Sequence, residues 1–251
     1  MTRVILHGCN GRVGRMITDL IAADEEMSII AGVDKYTAVE NSYPVYQNIS
    51  ECALDADVII DFSNSSAVDA LLEYAVSKNL PVVLCTTGLS DEQLAKVDEA
   101  SKSIAVLRSA NMSMGVNLLL KLIRENAAVL SAAGFDIEIV EKHHRHKLDS
   151  PSGTAIALAD AANEALGGEF EYVYDRTGRR MERPVKEIGI SAVRGGSIVG
   201  DHDVIFAGTD EVITLSHTAY SRNVFAKGAI AAAKFLAGKA AGMYSMSDVI
   251  G

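Results

Sequence analysis

The chain has 251 residues, 49% of them hydrophobic and 22% charged, enough for one large domain or two modest ones. A formal net charge of −10 and the absence of tryptophan argue against a nucleic-acid binder, which carries a basic face or stacking aromatics. Three cysteines (Cys9, Cys52 and Cys85) make no disulfide framework and no apolar run is long enough for a membrane span, so a reducing cytoplasm is expected.

In chain order, RVILH (3–7) is a short apolar strand that ends at Gly8. Val13, Met16, Ile17, Leu20 and Ile21 then recur at helical spacing. SIIAGVD (28–34), DVIIDF (57–62), PVVLC (81–85) and SIAVL (103–107) are further continuous apolar strands. The stretches 67–79 and 90–102 carry helical patterns, and Ser90 with Gln93 forms a capping box for the second. Strands apolar throughout, alternating with helices, predict an α/β fold with a doubly wound parallel sheet.

The pattern changes near residue 114. Residues 115–133 form a long helix, FDIEIVEKHHRH (135–146) alternates as a strand, and 153–166 is a helix ended by Gly167-Gly168. Residues 186–218 are strand-rich with glycine turns, and the basic stretch RTGRRMERP (176–184) is expected to be a mobile loop. The Ala-rich helix 223–239 must bury its apolar stripe somewhere and is expected to pack back on the first domain. The predicted organisation is one domain from 1–114 and 223–251, and a second, α+β domain with a mixed sheet from 115–222.

HGCNGRVG places Gly8, Gly11 and Gly14 in the first βα turn. Glycines there permit a tight turn and close approach of backbone N–H groups to a phosphate at the helix N-terminus. A tight turn without a ligand has the same glycines. Asp34 closes the second strand at the position where an acid holds a dinucleotide's ribose hydroxyls, and Lys35 beside it suits the 2′-phosphate of NADP or else faces solvent. Binding of both NADH and NADPH is expected. Thr86 and Thr87 follow the fourth strand, where open α/β sheets bind ligands.

EKHHRHKLDSPSGT (141–154) gathers His143, His144, His146, Arg145 and Lys147 ahead of a Pro-Ser-Gly-Thr turn. Three readings compete: zinc ligands, a solvated basic strand end, and a pocket for an anion. Along a strand, His144 and His146 face one side and His143 the other. No cysteine or carboxylate stands nearby at metal-ligand spacing, which disfavours zinc. Ser152, Gly153 and Thr154 open a helix and suit a carboxylate, Lys147 adds a fixed charge, and a histidine exchanges protons near neutral pH. Hydride reduction of a small dicarboxylate fits that set, because the acceptor needs a proton as well.

EKHHRHKLDSPSGTA, with HGCNGRVG, DFS (61–63), TTG (86–88), SANMSMGVN (109–117) and GMYSMSDVI (242–250), resembles the 4-hydroxy-tetrahydrodipicolinate reductase family over nearly the whole chain. The resemblance implies an amino-terminal Rossmann-type domain and a substrate-binding, tetramerisation domain. It implies reduction of a cyclic imine dicarboxylate with NADH or NADPH, releasing water, in diaminopimelate and lysine biosynthesis. By position, His143 becomes the proton donor and acceptor and Lys147 the second donor, while His144, Ser152, Gly153 and Thr154 meet substrate. The implied cofactor contacts are Gly8, Cys9, Asn10, Gly11, Arg12, Val13, Asp34, Lys35, Cys85, Thr86, Thr87, Ser109, Ala110, Asn111 and Met112. No metal, nucleic acid or membrane enters, and a homotetramer is expected. Another Rossmann-type imine or amino-acid dehydrogenase, or a non-catalytic NAD(P)-binding sensor, remains the alternative.

Overall fold

A computed structural model of the chain describes every residue except Ala110. The chain forms two compact units, Met1–Met114 with Asn223–Gly251, and Gly115–Arg222.

The first unit contains β1 (Thr2–His7), α1 (Arg12–Ala22), β2 (Met27–Val33), β3 (Val45–Tyr46), β4 (Val58–Asp61), α2 (Val68–Lys78), β5 (Val82–Leu84), α3 (Asp91–Ser101) and β6 (Ala105–Arg108). In the second, α4 (Met114–Ala132), β7 (Asp136–His143), α5 (Gly153–Ala165), β8 (Glu171–Val173), β9 (Glu187–Arg194), β10 (Gly200–Ala207) and β11 (Val212–Ala219) follow. The chain then re-enters the first unit as α6 (Asn223–Leu236), β12 (Gly242–Tyr244) and α7 (Met246–Ile250).

The first sheet runs β12-β6-β5-β4-β1-β2-β3, with every pairing parallel. It is a Rossmann-type doubly wound sheet. Alternation sends Val4, Leu6, Val58 and Ile60 to one face, under Ile17 and Ile21 of α1 and the alanines of α6. Ile5, Ile59, Val82 and Leu84 go to the other, under Leu71 and Leu72 of α2 and Val97 of α3. Helices on both faces are why the strands are apolar throughout. The capping box at Ser90 and Gln93 starts α3. The chain leaves β1 toward β2 and β3, then returns to β4 on the other side, so the topological switch point falls between β1 and β4.

The second sheet is mixed, in the order β11-β10-β7-β9-β8, with β7, β8 and β9 parallel and β10 antiparallel to both neighbours. One face carries Ile137, Ile139, Ile188, Ile190, Val204 and Phe206 against the apolar stripes of α4 and α5.

The short strands β3, β8 and β12, two or three residues each, carry too little periodicity to be read from sequence. The stretch 176–184, expected to be a mobile loop, is instead pinned by ion pairs. Arg176 and Arg179 grip the buried Glu187, and Arg183 reaches Glu138 at 3.0 Å and Asp136 at 2.6 Å. The buried carboxylate requires such partners, and they come from the neighbouring loop. Replacing Arg183 with Ala is therefore predicted to speed trypsin cleavage within 176–183 several-fold under native conditions. Equal digestion rates would mean that Arg183 does not hold the segment.

Candidate active site

The buried face of β7 reads Ile137, Ile139, Glu141, His143. Its apolar stripe turns polar in the last turn of alternation. Glu141 is 0% exposed. Register places His202 of β10 beside Glu141, and Arg194 of β9 beside His143. Arg194 donates to both Glu141 oxygens at 2.7 Å, Ser152 N–H donates at 2.9 Å, and His143 Nδ1 lies 2.6 Å away. Burial pushes Glu141 up, but the donors from Arg194, His143 and Ser152 outweigh it and hold the carboxyl below its usual range. A carboxylate only accepts, so the His143 proton sits on Nδ1 and Nε2 is the nitrogen left to exchange protons.

His202 packs edge to face on His143, with ring centroids 5.2 Å apart. Its Nε2 lies 3.2 Å from Ser152 Oγ. Burial, and then the charge of His143, push His202 down to about 4, so it is neutral at neutral pH.

Ser152 caps α5, its hydroxyl accepting from Ala155 N–H at 3.2 Å, and it is buried. It is thus a brace between α5, Glu141 and His202, and the N–H and hydroxyl expected to meet substrate are engaged by these partners. Gly153, exposed, and Thr154, half-buried, form the first turn of α5 at the positive end of the helix dipole.

β7 stops at His143 rather than running to 146. Beyond it the chain turns, with Arg145 N–H donating to Gly196 O and Lys147 N–H to His144 O. His144 is half-buried and His146 exposed, with ring centroids 6.3 Å apart, so strand alternation does not govern them. Among the described residues, no three His, Cys, Asp or Glu side chains converge as a metal-ligand set. Lys147 Nζ pairs with Asp149 Oδ1 at 2.9 Å and holds that carboxyl below its usual range.

In the first unit, Gly8 has φ of +80°, and a Cβ there would meet Phe62 O at 2.5 Å. A Cβ on Gly14 would collide with Gly8 O. Gly11 caps α1 without a side chain, which leaves Arg12 and Val13 in an open first turn. Asn10, where a middle glycine is usual, donates its N–H to Asp34 Oδ2 at 2.9 Å and its amide to Tyr36 O. Asp34 Oδ1 takes Tyr36 N–H at 2.9 Å. A cleft of about 550 Å³ is lined by Gly8, Gly11, Asp34, Lys35, Phe62 and Ser63, among others. A glycine cradle that no side chain can share, a carboxylate at the end of β2 and this cleft fit a dinucleotide.

The other expected cofactor residues divide. Thr87 is exposed, while Thr86 is buried with its hydroxyl on Asp61 at 2.6 Å. The thiols of Cys9 and Cys85 lie in the core, where burial pushes Cys9 to about 11 and Cys85 well above its ordinary value. Only their backbone is available to a ligand. Ser109 donates to Asn111 O at 2.8 Å, Met112 is in the core, and Ala110 lies outside the described residues. Sequence reasoning did not single out Glu141, Arg194 or His202. The two-residue step from Glu141 to His143 on one strand face was the available signal for the first.

The family model for the dihydrodipicolinate reductase N-terminus matches residues 2–112, and that for the C-terminus matches residues 115–250. The 4-hydroxy-tetrahydrodipicolinate reductase of Caldanaerobacter subterraneus is 53% identical over 250 residues, covering 100% of this chain and 98% of the relative. That of Clostridium novyi is 50% identical, with the same coverage. Among solved structures, a dipicolinate-bound dihydrodipicolinate reductase from Paenisporosarcina shares the fold. It has a TM-score of 0.83 and 23% identity, covering 98% of this chain and 97% of that one.

His202 gives the site a pH signature. Its folded value lies below the free imidazole's 6.5, so the unfolded chain binds the proton more tightly. Its contribution is complete above about pH 6.5 and is lost as pH falls toward about 4, by roughly 3 kcal/mol at most. Urea unfolding at pH 7 and pH 4.5 is expected to show a smaller loss in His202→Gln than in the unaltered protein. Equal losses would assign the dependence to other groups.

Proposed function

The chain belongs to the dihydrodipicolinate reductase family, and from that premise we propose how its residues share the work. It is an NAD(P)H-dependent reductase of 4-hydroxy-tetrahydrodipicolinate in the diaminopimelate and lysine pathway, forming tetrahydrodipicolinate and water. Membership removes the alternatives of another Rossmann-type imine or amino-acid dehydrogenase and of a non-catalytic NAD(P)-binding sensor.

The observation that carries the residue assignments is the Glu141 clamp. It fixes the His143 tautomer and leaves Nε2 as the nitrogen that exchanges protons. A reduced nicotinamide, when bound, supplies the hydride. His143 Nε2 delivers the accompanying proton and takes one back, and Lys147 is the second donor, its charge offsetting negative charge that develops on the ring. Gly153 and Thr154 at the start of α5, with Lys147 and His144, seat the substrate carboxylates. One hydride and one proton enter, and the 4-hydroxyl departs as water. The Gly8–Val13 turn cradles the pyrophosphate and Asp34 takes the ribose hydroxyls. Lys35 admits a 2′-phosphate, so both dinucleotides serve. The unit 1–114 with 223–251 is the dinucleotide domain and 115–222 the substrate domain.

The reading extends to a cytoplasmic homotetramer. Three free, buried cysteines support a reducing compartment, and exposed Val193, Val212 and Ile213 on the second sheet support association. Among the described residues no helix is long and apolar enough to cross a membrane.

The direct test supplies the purified protein with NADPH and the product of dihydrodipicolinate synthase. A substrate-dependent loss of nicotinamide absorbance is expected, and its absence rejects the assignment. His143→Gln is predicted to lower kcat about 10²- to 10³-fold with KM within a few-fold, since proton transfer matters in the transition state. A rise in KM with kcat intact would make His143 a binding residue instead. Lys35→Ala is predicted to weaken NADPH several-fold while leaving NADH nearly unchanged, as read by calorimetry. An unaltered ratio would place Lys35 outside the cofactor's reach.

A further inference from the structure

Three polar side chains of the first unit continue the apolar alternation of their strands. Ile5, Ile59 and Leu84 lie on the α2–α3 face, and His7, Asp61 and Thr86 each come two residues later. Register sets Asp61 directly between His7 and Leu84. The three stand at the carboxyl ends of β1, β4 and β5, beside the topological switch point where open α/β sheets bind ligands. The proposed mechanism gives Asp61 and His7 no role.

Asp61 is 0% exposed, and a carboxylate at that depth requires donors. Its Oδ2 accepts the Thr86 hydroxyl at 2.6 Å and its Oδ1 accepts Ser63 N–H at 3.2 Å. His7 Nδ1 lies 2.9 Å from Oδ1, close enough for an ion pair though not aligned as a hydrogen bond. A threonine hydroxyl has one proton and two lone pairs, whereas a carboxylate only accepts. With its proton committed to Asp61, Thr86 meets any other group as an acceptor. Ser63 Oγ lies 3.5 Å from Thr86 Oγ1, at the edge of hydrogen-bond range, and lines the cleft. The Ser63 hydroxyl donates its own proton to Asn64 O at 3.4 Å, so it too offers lone pairs outward.

We infer that Asp61 is a positioning residue that makes the Thr86 and Ser63 hydroxyls obligate acceptors, so that this end of the sheet selects a ring substituent carrying an N–H donor. The inference rests on the dinucleotide reading and refines it: the pair recognises the amide N–H of the nicotinamide carboxamide, not its carbonyl. An acetyl group in that position has no donor, and the buried Thr86 acceptor would be left unpaired.

The test is calorimetric, without turnover. NADH, its reduced thionicotinamide analogue, which keeps the NH₂ group, and its reduced 3-acetylpyridine analogue, which lacks it, are titrated into the protein, Thr86→Val, Thr86→Ser and Asp61→Asn. The unaltered protein is expected to bind the first two within a few-fold of each other and the acetyl analogue roughly tenfold more weakly. Thr86→Val is expected to bring NADH and the acetyl analogue within about twofold by weakening NADH alone, and Thr86→Ser to restore the gap. Asp61→Asn, which turns a carboxylate oxygen into a donor and releases the Thr86 proton, is expected to shrink or invert the gap. Equal binding of NADH and the acetyl analogue by the unaltered protein, or a gap that survives Thr86→Val, overturns the inference. A gap that survives a folded Asp61→Asn removes Asp61 from it. Where circular dichroism shows that Asp61→Asn does not fold, the Val and Ser pair decides whether Thr86 is the acceptor. Failure of the unaltered protein to bind NADH at all would instead sink the dinucleotide reading.

Discussion

A carboxylate sealed from water dictates what surrounds it, and Glu141 is that carboxylate here. Its charge would be costly alone at the end of the Ile137–Ile139 stripe. Arg194 repays most of the cost with a bidentate pair, and Ser152 N–H and His143 Nδ1–H complete the shell. Breaking such a buried pair costs roughly 3–5 kcal/mol, so the arrangement is rigid. The rigidity has three structural consequences at once. It ties β9 to β7, fixes where α5 begins, and sets the orientation and tautomer of the imidazole. His202 completes the packing without adding a competing charge, because burial keeps it neutral.

The first unit uses the same logic at Asp61, with weaker donors. Both acids continue an apolar face at the carboxyl end of a strand, Glu141 after Ile139 and Asp61 after Ile59. Alternation carries each side chain to the buried side, where desolvation makes every available donor commit. A committed donor has a defined polarity, and defined polarity is what recognition of a small polar group requires. The core packing that excludes water is thus also what makes the functional groups directional.

Much of this was legible in sequence because it is local. Continuous apolar strands, the glycine turn of Gly8, Gly11 and Gly14, the Ser90–Gln93 box and the Pro151–Thr154 turn are all short-range patterns. What escaped depends on register. Arg194 and Glu141 are 53 positions apart and meet only because β9 pairs with β7 in one particular alignment. His202 faces Glu141 for the same reason, across β10. The end of β7 at His143 also escaped, since the sequence goes on alternating while the backbone turns to bond with Gly196. The pinned arginines of 176–183 looked like a solvated loop because their acids, Asp136, Glu138 and Glu187, lie on strands.

The basic string itself means something different once its partners are known. Counted along the chain, residues 143–147 concentrate positive and protonatable groups in an acidic protein. In the fold, His143 faces Glu141 and Lys147 faces Asp149, so part of that charge is compensated. The two pairs are not equivalent. Glu141 is wholly buried and cannot exchange its partners cheaply, whereas the Asp149 side chain is 59% exposed. An exposed pair of that kind holds only about 0–1 kcal/mol. In the proposed reaction a dicarboxylate arriving at the start of α5 therefore takes Lys147 from Asp149 at small cost, while the Glu141 clamp stays shut. Burial separates the cation free to change partners from the imidazole that must keep its orientation.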